Sequence, residues 1–223
     1  MTELNSKPKD YWHRMVVDWS ADKETFSVNW GKVMMWVFLI SDTFIFSIFL
    51  IGYMNVRISA TEAWPLTTDV FALVVGGQHI PLLLIAIMTF ILITSSGTMA
   101  IAVNTAYQGR KEVTFWLMIA TAILGASFVG MQAFEWSKLI IDEGIRPWAN
   151  PLGAAQFGST FFMITGFHGL HVTGGVIYLT IVAIKVKLGH YDKKGFQIVE
   201  ITGLYWHFVD LVWVFIFAFF YLW

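Results

Sequence analysis

Five apolar runs dominate the chain, and each is long enough to cross a bilayer: Val33 to Met54, Ile80 to Val103, Val113 to Ile141, Phe157 to Val186, and Ile201 to Trp223. A helical crossing needs about 20 residues at 1.5 Å each. Such runs cannot be buried together inside a soluble core of this size, because only 13% of the 223 residues are charged, against about a quarter in ordinary soluble domains. The expected fold is therefore all-α: a membrane bundle of five transmembrane helices over residues 33–223, preceded by a polar segment, residues 1–32. That segment lacks the short apolar core and small-residue cleavage site of a secretory signal. The connections carry turn chemistry: Ala63-Trp64-Pro65 and Gly76-Gly77, then Gln108-Gly109-Arg110, then Arg146-Pro147 through Asn150-Pro151.

Five helices place the two ends of the chain on opposite sides of the membrane. Eleven Lys and Arg fall on the side of the N-terminal segment (Lys7, Lys9, Arg14, Lys23, Lys32, Arg110, Lys111, Lys185, Lys187, Lys193, Lys194). Three fall on the other side (Arg57, Lys138, Arg146), which predicts a cytoplasmic N-terminus and a periplasmic C-terminus. Trp64, Trp148, Tyr221 and Trp223 then mark the outer interface, and Trp30 and Tyr107 the inner one. A net charge of -1 gives no basis for a nucleic-acid partner. The absence of cysteine excludes disulfides, iron–sulfur clusters and thiolate metal sites.

Ionisable side chains within apolar spans carry the most information, since each costs several kcal/mol at the bilayer centre unless it is paired or faces protein or water. There are six: Asp42 in the first run, Glu135 in the third, His168 and His171 in the fourth, and His207 and Asp210 in the fifth. All but Glu135 reach one depth in the inner half of the membrane, and the i, i+3 spacing within each pair puts both members on one face. They are thus candidates for one converging polar cluster, with Glu135 apart near the outer end. Such a cluster is either interhelical hydrogen-bonding glue, a proton relay, or a metal or haem site. Three histidines without a supporting ligand set do not make a metal site, and adjacent i, i+3 histidines on one helix are not the ligand pattern of haems stacked along a bundle. His79 reads as a cap at the outer interface. His13 and His190 fall on the cytoplasmic side, where they are candidate proton-collecting groups. Two small-residue ladders, Ala122, Ala126, Gly130 and Thr165, Gly169, Thr173, predict close helix approach. The aromatic-rich fifth run predicts contact with lipid or a partner subunit.

Four stretches carry a family resemblance. Gly158 through Val172 (GSTFFMITGFHGLHV) and Tyr205 through Phe215 (YWHFVDLVWVF) resemble the two signature segments of haem-copper oxidase subunit III, the cytochrome c oxidase type. Gly130 through Trp136 (GMQAFEW) resembles that family's Gln-x-x-Glu-aromatic stretch, and Phe38 through Phe46 (FLISDTFIF) its helix bearing a carbodiimide-reactive Ser-Glu pair. The resemblance runs in order along nearly the whole of Lys32 to Trp223. It implies a non-catalytic subunit of an aerobic terminal oxidase in a bacterial inner membrane, packed on catalytic subunit I with subunit II, within a larger respiratory supercomplex as a further level of assembly. The complex would pass electrons from cytochrome c to O2 and pump protons, with a quinol oxidase as the alternative within the family. The haem and copper would lie in the partner subunits, with no redox cofactor in this chain. Its own roles would be to stabilise subunit I, bind phospholipid and support proton uptake. The residues implied for the lipid-binding or structural polar cluster are Asp42, Glu135, His168, His171, Trp206, His207 and Asp210. Two departures are visible: longer members have seven helices, so the arm forming the other wall of the lipid cleft is missing, and Asp42 stands where the family has Glu. Outside the family, the competing class is a free-standing haem-binding membrane anchor.

Overall fold

The structure is a computed structural model that describes residues 30–75, 78–192 and 195–223. His13, Lys7, Lys9, Arg14, Lys23, Lys193, Lys194 and the Gly76-Gly77 pair lie outside the described residues, as does the side chain of His79. Five long apolar helices form: α1 (Trp30–Ser59), α2 (Leu83–Tyr107), α3 (Lys111–Ile141), α4 (Gln156–Lys187) and α5 (Gln197–Ile216), the last continuing as a π-helix, Phe217–Leu222. The expected bundle of five membrane-spanning helices is therefore present.

The largest difference from expectation lies before α2. The second apolar run does not become helical at Ile80; Ala72–Val75 pairs antiparallel with Gln78–Pro81 in a small hairpin, with Leu73 opposite Ile80. Proline supplies the reason, since Pro81 has no amide hydrogen to donate and disfavours helical backbone at Ile80. Leu82 then takes φ 57° and ψ 11°, donates its N–H to the Phe71 carbonyl, and α2 starts one residue later. At the other end of α2 the turn is as the sequence predicts. Gly109 adopts φ 72°, and the Gly109 and Arg110 amides cap the carbonyls of Ala106 and Thr105, so that α3 returns beside α2.

Helices α2 to α5 form a ring in which each packs on two neighbours, while α1 lies outside against α4 and α5. Lipid is as apolar as a leucine side chain, so burial alone does not drive helix association in a bilayer. Hydroxyl pairs supply part of the attraction: Thr98 and Thr121 at 2.7 Å and Thr105 and Thr114 at 2.9 Å join α2 to α3. The small-residue ladders are not the contact surfaces expected. Ala126, Gly130 and Thr173 are exposed, and a Cβ added at Gly130 or Gly169 would meet nothing within 4 Å. The buried stripe of α3 passes instead through Ala122, Gly125, Phe128, Gln132 and Glu135, in a mixture of three- and four-residue steps, because a strict four-residue step drifts off a 3.6-residue face.

The two ends of the bundle carry distinct polar contacts. At one, Lys32 pairs with Glu200, which also accepts from the Tyr107 hydroxyl, and Lys111 pairs with Asp192 at 2.6 Å. At the other, Arg57 donates to the Tyr53 hydroxyl and to the Trp223 carbonyl, and its guanidinium lies 4.4 Å from the Trp223 ring centroid. Tyr221 is fully buried rather than at an interface, because it turns inward to Glu135.

Candidate functional site

The six intramembrane ionisable residues are not one cluster. Asp42 of α1 faces His171 of α4, with Oδ2 and Nε2 3.3 Å apart, ion-pair reach without hydrogen-bond alignment. His171 Nδ1 lies 2.8 Å from the Phe167 carbonyl, which can only accept, so Nδ1 carries a hydrogen. Nε2 therefore either presents a lone pair to a protonated Asp42 or an N–H to a carboxylate. Both arrangements leave the pair neutral overall, the state that a low-dielectric interior tolerates. Phe46 and Phe167 pack on the imidazole with centroids 5.5 and 4.7 Å away, and the Tyr205 hydroxyl donates to the His171 carbonyl at 2.9 Å.

His168 points elsewhere. Three residues along a helix is about 60° of rotation, enough on a helix with three neighbours to give His168 and His171 different partners. His168 is fully buried, stacked on Trp213 at 5.4 Å and edge-on to Phe128 at 5.8 Å, and neither ring nitrogen has a hydrogen-bond partner among the described residues.

The second pair meets α2. His207 Nδ1 lies 2.6 Å from the Ser96 hydroxyl. The same hydroxyl faces the carboxylate of Asp210, whose Oδ1 is buried without a partner. Glu135 is apart, as expected: Gln132 donates to it at 2.7 Å and the Tyr221 hydroxyl at 3.2 Å. His190 is exposed, its ring edge-on to Tyr191. Among the described residues no three His, Asp or Glu side chains are gathered at metal-binding spacing.

Trp206 has the most central position of all. Its indole donates to Ser95 of α2 at 2.9 Å, and its ring lies against Gly125 of α3 and 3.0 Å from where a Cβ on Gly175 of α4 would stand. One side chain of α5 thus touches the three other helices of the ring. Trp213 repeats the pattern one face-turn later, donating to Thr89 of α2 at 3.0 Å. Trp206, Trp213 and Phe220 are buried, so the aromatic content of α5 serves the bundle interior as well as its surface. Sequence reasoning missed Ser95, Ser96, Thr89, Tyr205, Gly125 and Gly175. For the two serines the available signal was a Ser-Ser-Gly-Thr run, Ser95 to Thr98, in the middle of an apolar span.

The chain is matched over residues 8–223 by the family of cytochrome c oxidase subunit III. The probable quinol oxidase subunit 3 of Staphylococcus epidermidis is 33% identical over 199 residues, covering 89% of this chain and 92% of that protein. The proteins of the same name from Staphylococcus aureus and Staphylococcus saprophyticus are 32% and 31% identical with the same coverage. The resemblance carried by the four sequence stretches is thereby borne out, and the chain belongs to the cytochrome c oxidase subunit III family.

Proposed function

We propose that this chain is the non-catalytic third subunit of a quinol-oxidising haem-copper terminal oxidase. The observation that carries this is similarity along nine-tenths of the chain to proteins named as quinol oxidase subunits 3. That shifts the balance from cytochrome c, the donor expected from sequence, to the quinol alternative. In this reading the subunit lies in a bacterial plasma membrane with its N-terminus cytoplasmic. It packs on subunits that hold the haem and copper, and it binds phospholipid. The polar pairs fit a supporting part: Asp42–His171, Ser96–His207 and Gln132–Glu135 each join side chains to one another rather than lining a continuous path.

The test is purification through an affinity tag on this chain, followed by oxygen uptake with a reduced quinol and, separately, with reduced cytochrome c. Co-purifying haem and copper with quinol-driven uptake supports the reading. Uptake driven by cytochrome c alone refutes the choice of donor. A stoichiometric Soret band on the isolated chain after detergent exchange would refute the subunit reading as a whole.

A further inference from the structure

Between α1 and α5 the fold leaves a groove of about 620 Å³, lined by apolar side chains that include Trp36, Leu39, Phe46, Leu50, Leu211 and Phe215. The two helices run in the same direction, and polar contacts join them near both ends: Lys32 with Glu200, and Arg57 with Trp223. The 25 residues from Lys32 to Arg57 span about 37 Å, so each contact lies some 3 to 4 Å outside a hydrocarbon core about 30 Å thick. His207, seven residues past Glu200, is about 10 Å inward from the first contact, hence roughly 6 Å inside the hydrocarbon. From its level the groove continues about 18 Å, to that of Phe219.

Among the described residues lining the groove, His207 is the one titratable side chain. Its Nδ1 is engaged by Ser96 at 2.6 Å on the α2 side, and Nε2, on the far edge of the ring, makes no hydrogen bond among the described residues. The Ser96 hydroxyl can either donate to His207, or accept from it while donating to the Asp210 carboxylate. When it donates, Nε2 carries the hydrogen and donates in turn; when it accepts, Nε2 offers a lone pair. The imidazole can thus bind a carbonyl oxygen in one tautomer and a phenolic hydroxyl in the other.

These features select an occupant. A phospholipid keeps its polar atoms near the headgroup level, too far out to reach His207. A partner helix laying apolar side chains along the groove would leave the His207 imidazole facing no polar atom. A slim isoprenoid chain ending in a ring that alternates between carbonyl and hydroxyl satisfies both the depth and the shape. We propose that the α1–α5 groove holds one isoprenoid quinone or quinol, its ring oxygen bonded to His207 Nε2 and its tail lying along the groove. The proposal rests on the quinol-oxidase reading, which places such molecules around this subunit, and it assigns a binding site with no electron transfer at it.

The experiment uses the whole oxidase complex and a photoreactive quinone analogue, with labelled peptides mapped after illumination. Expected is label on the segments 36–54 and 204–219 of this chain, displaced by unlabelled quinone. His207→Phe should weaken that binding between about two- and tenfold, as loss of one hydrogen bond does. His207→Gln, which keeps a donor and an acceptor, should retain more of it. Leu211→Trp, which fills the groove while leaving His207 intact, should abolish the label. Label confined to other subunits overturns the proposal, as does groove label indifferent to His207→Phe and displaced by phospholipid. Oxygen uptake on the same preparation separates the two readings: quinol-driven uptake without label on this chain removes the groove site and leaves the subunit assignment standing. Uptake driven by cytochrome c alone removes the donor assignment, and the displacement result still decides the groove.

Discussion

The seat of Trp206 can be tested by adding one methyl group. A Cβ at Gly125 would collide with Trp206 Cη2 and stand 2.8 Å from Val176 Cγ2. The ring has little freedom to yield, since it is fully buried, packed against Gly175 on another face, and tethered through its N–H to Ser95. Overpacking of this kind costs about 1 to 3 kcal/mol. Alanine in place of glycine in a helix returns up to about 1 kcal/mol. Because the ring cannot yield, the cost falls in the upper half of that range, about 2 to 3 kcal/mol, so Gly125→Ala should destabilise by about 1 to 2 kcal/mol net, a five- to thirtyfold change in the unfolding equilibrium. Gly130→Ala on the same helix meets nothing within 4 Å and should be neutral or slightly stabilising. Equilibrium unfolding in mixed micelles, with SDS mole fraction as denaturant and circular dichroism as signal, measures both variants. Trp206→Phe shortens the ring at the point of collision, so Gly125→Ala should cost less in that background than in the wild type, a coupling that the double-mutant cycle reads directly. Equal stabilities for Gly125→Ala and the parent, or a larger loss at Gly130, would refute the assignment of the buried face.

Three further outcomes follow from the polar contacts and the topology. Asp42→Leu leaves His171 Nε2 without a partner and should cost about 1 to 3 kcal/mol, whereas Asp42→Asn, whose amide can donate to that nitrogen, should cost less than half as much in the same unfolding assay. Glu200→Gln weakens the contacts to both Lys32 and Tyr107, so it should raise hydrogen exchange in the first turns of α1 more than Lys32→Met does; the reverse order would mean that Tyr107 contributes nothing. The chain has no cysteine, so single cysteines at Gln108 and Trp148 report orientation cleanly. A membrane-impermeant maleimide should label position 148 in intact cells and position 108 only after permeabilisation, and the opposite pattern would invert the topology.

The five helices were legible because a bilayer demands long apolar runs, and nothing within the chain competes with that signal. The exception, Ile80 to Leu82, is apolar enough to read as helix, yet the backbone restriction imposed by Pro81 decided the local structure. The faces of the helices were less legible. A ladder counted in fours from Ala122 leads to Gly130 on the surface, and the buried glycine at position 125 falls between its steps. The charged members of the site stood out in the sequence because an ionisable group in hydrocarbon is expensive. Their partners did not: Ser95, Ser96 and Thr89 each cost little in a helix, so beyond the short Ser-Ser-Gly-Thr run little marks them until α5 brings an indole or an imidazole against them. The expected convergence of five groups failed for a geometric reason, since equal depth places residues in one layer but leaves the direction around each helix free.

The manner in which α1 is attached bears on why a groove persists beside it. The ring of α2 to α5 is closed by interlocking shapes, with the Trp206 indole seated against Gly125 and Gly175. α1 is joined by polar contacts at three levels: Lys32–Glu200, Asp42–His171, and Arg57–Trp223. Ion pairs near the bilayer surface are individually worth about 1 kcal/mol or less, whereas separating the middle pair would leave polar groups alone in hydrocarbon, so that pair dominates. It connects α1 to α4, not to α5. The strongest tether therefore holds α1 against α4, while its polar contacts to α5 lie only near the two ends and leave room between them for the groove. A helix attached by apolar packing alone would slide until that space closed; one fixed by directional contacts at defined heights cannot close it without breaking them.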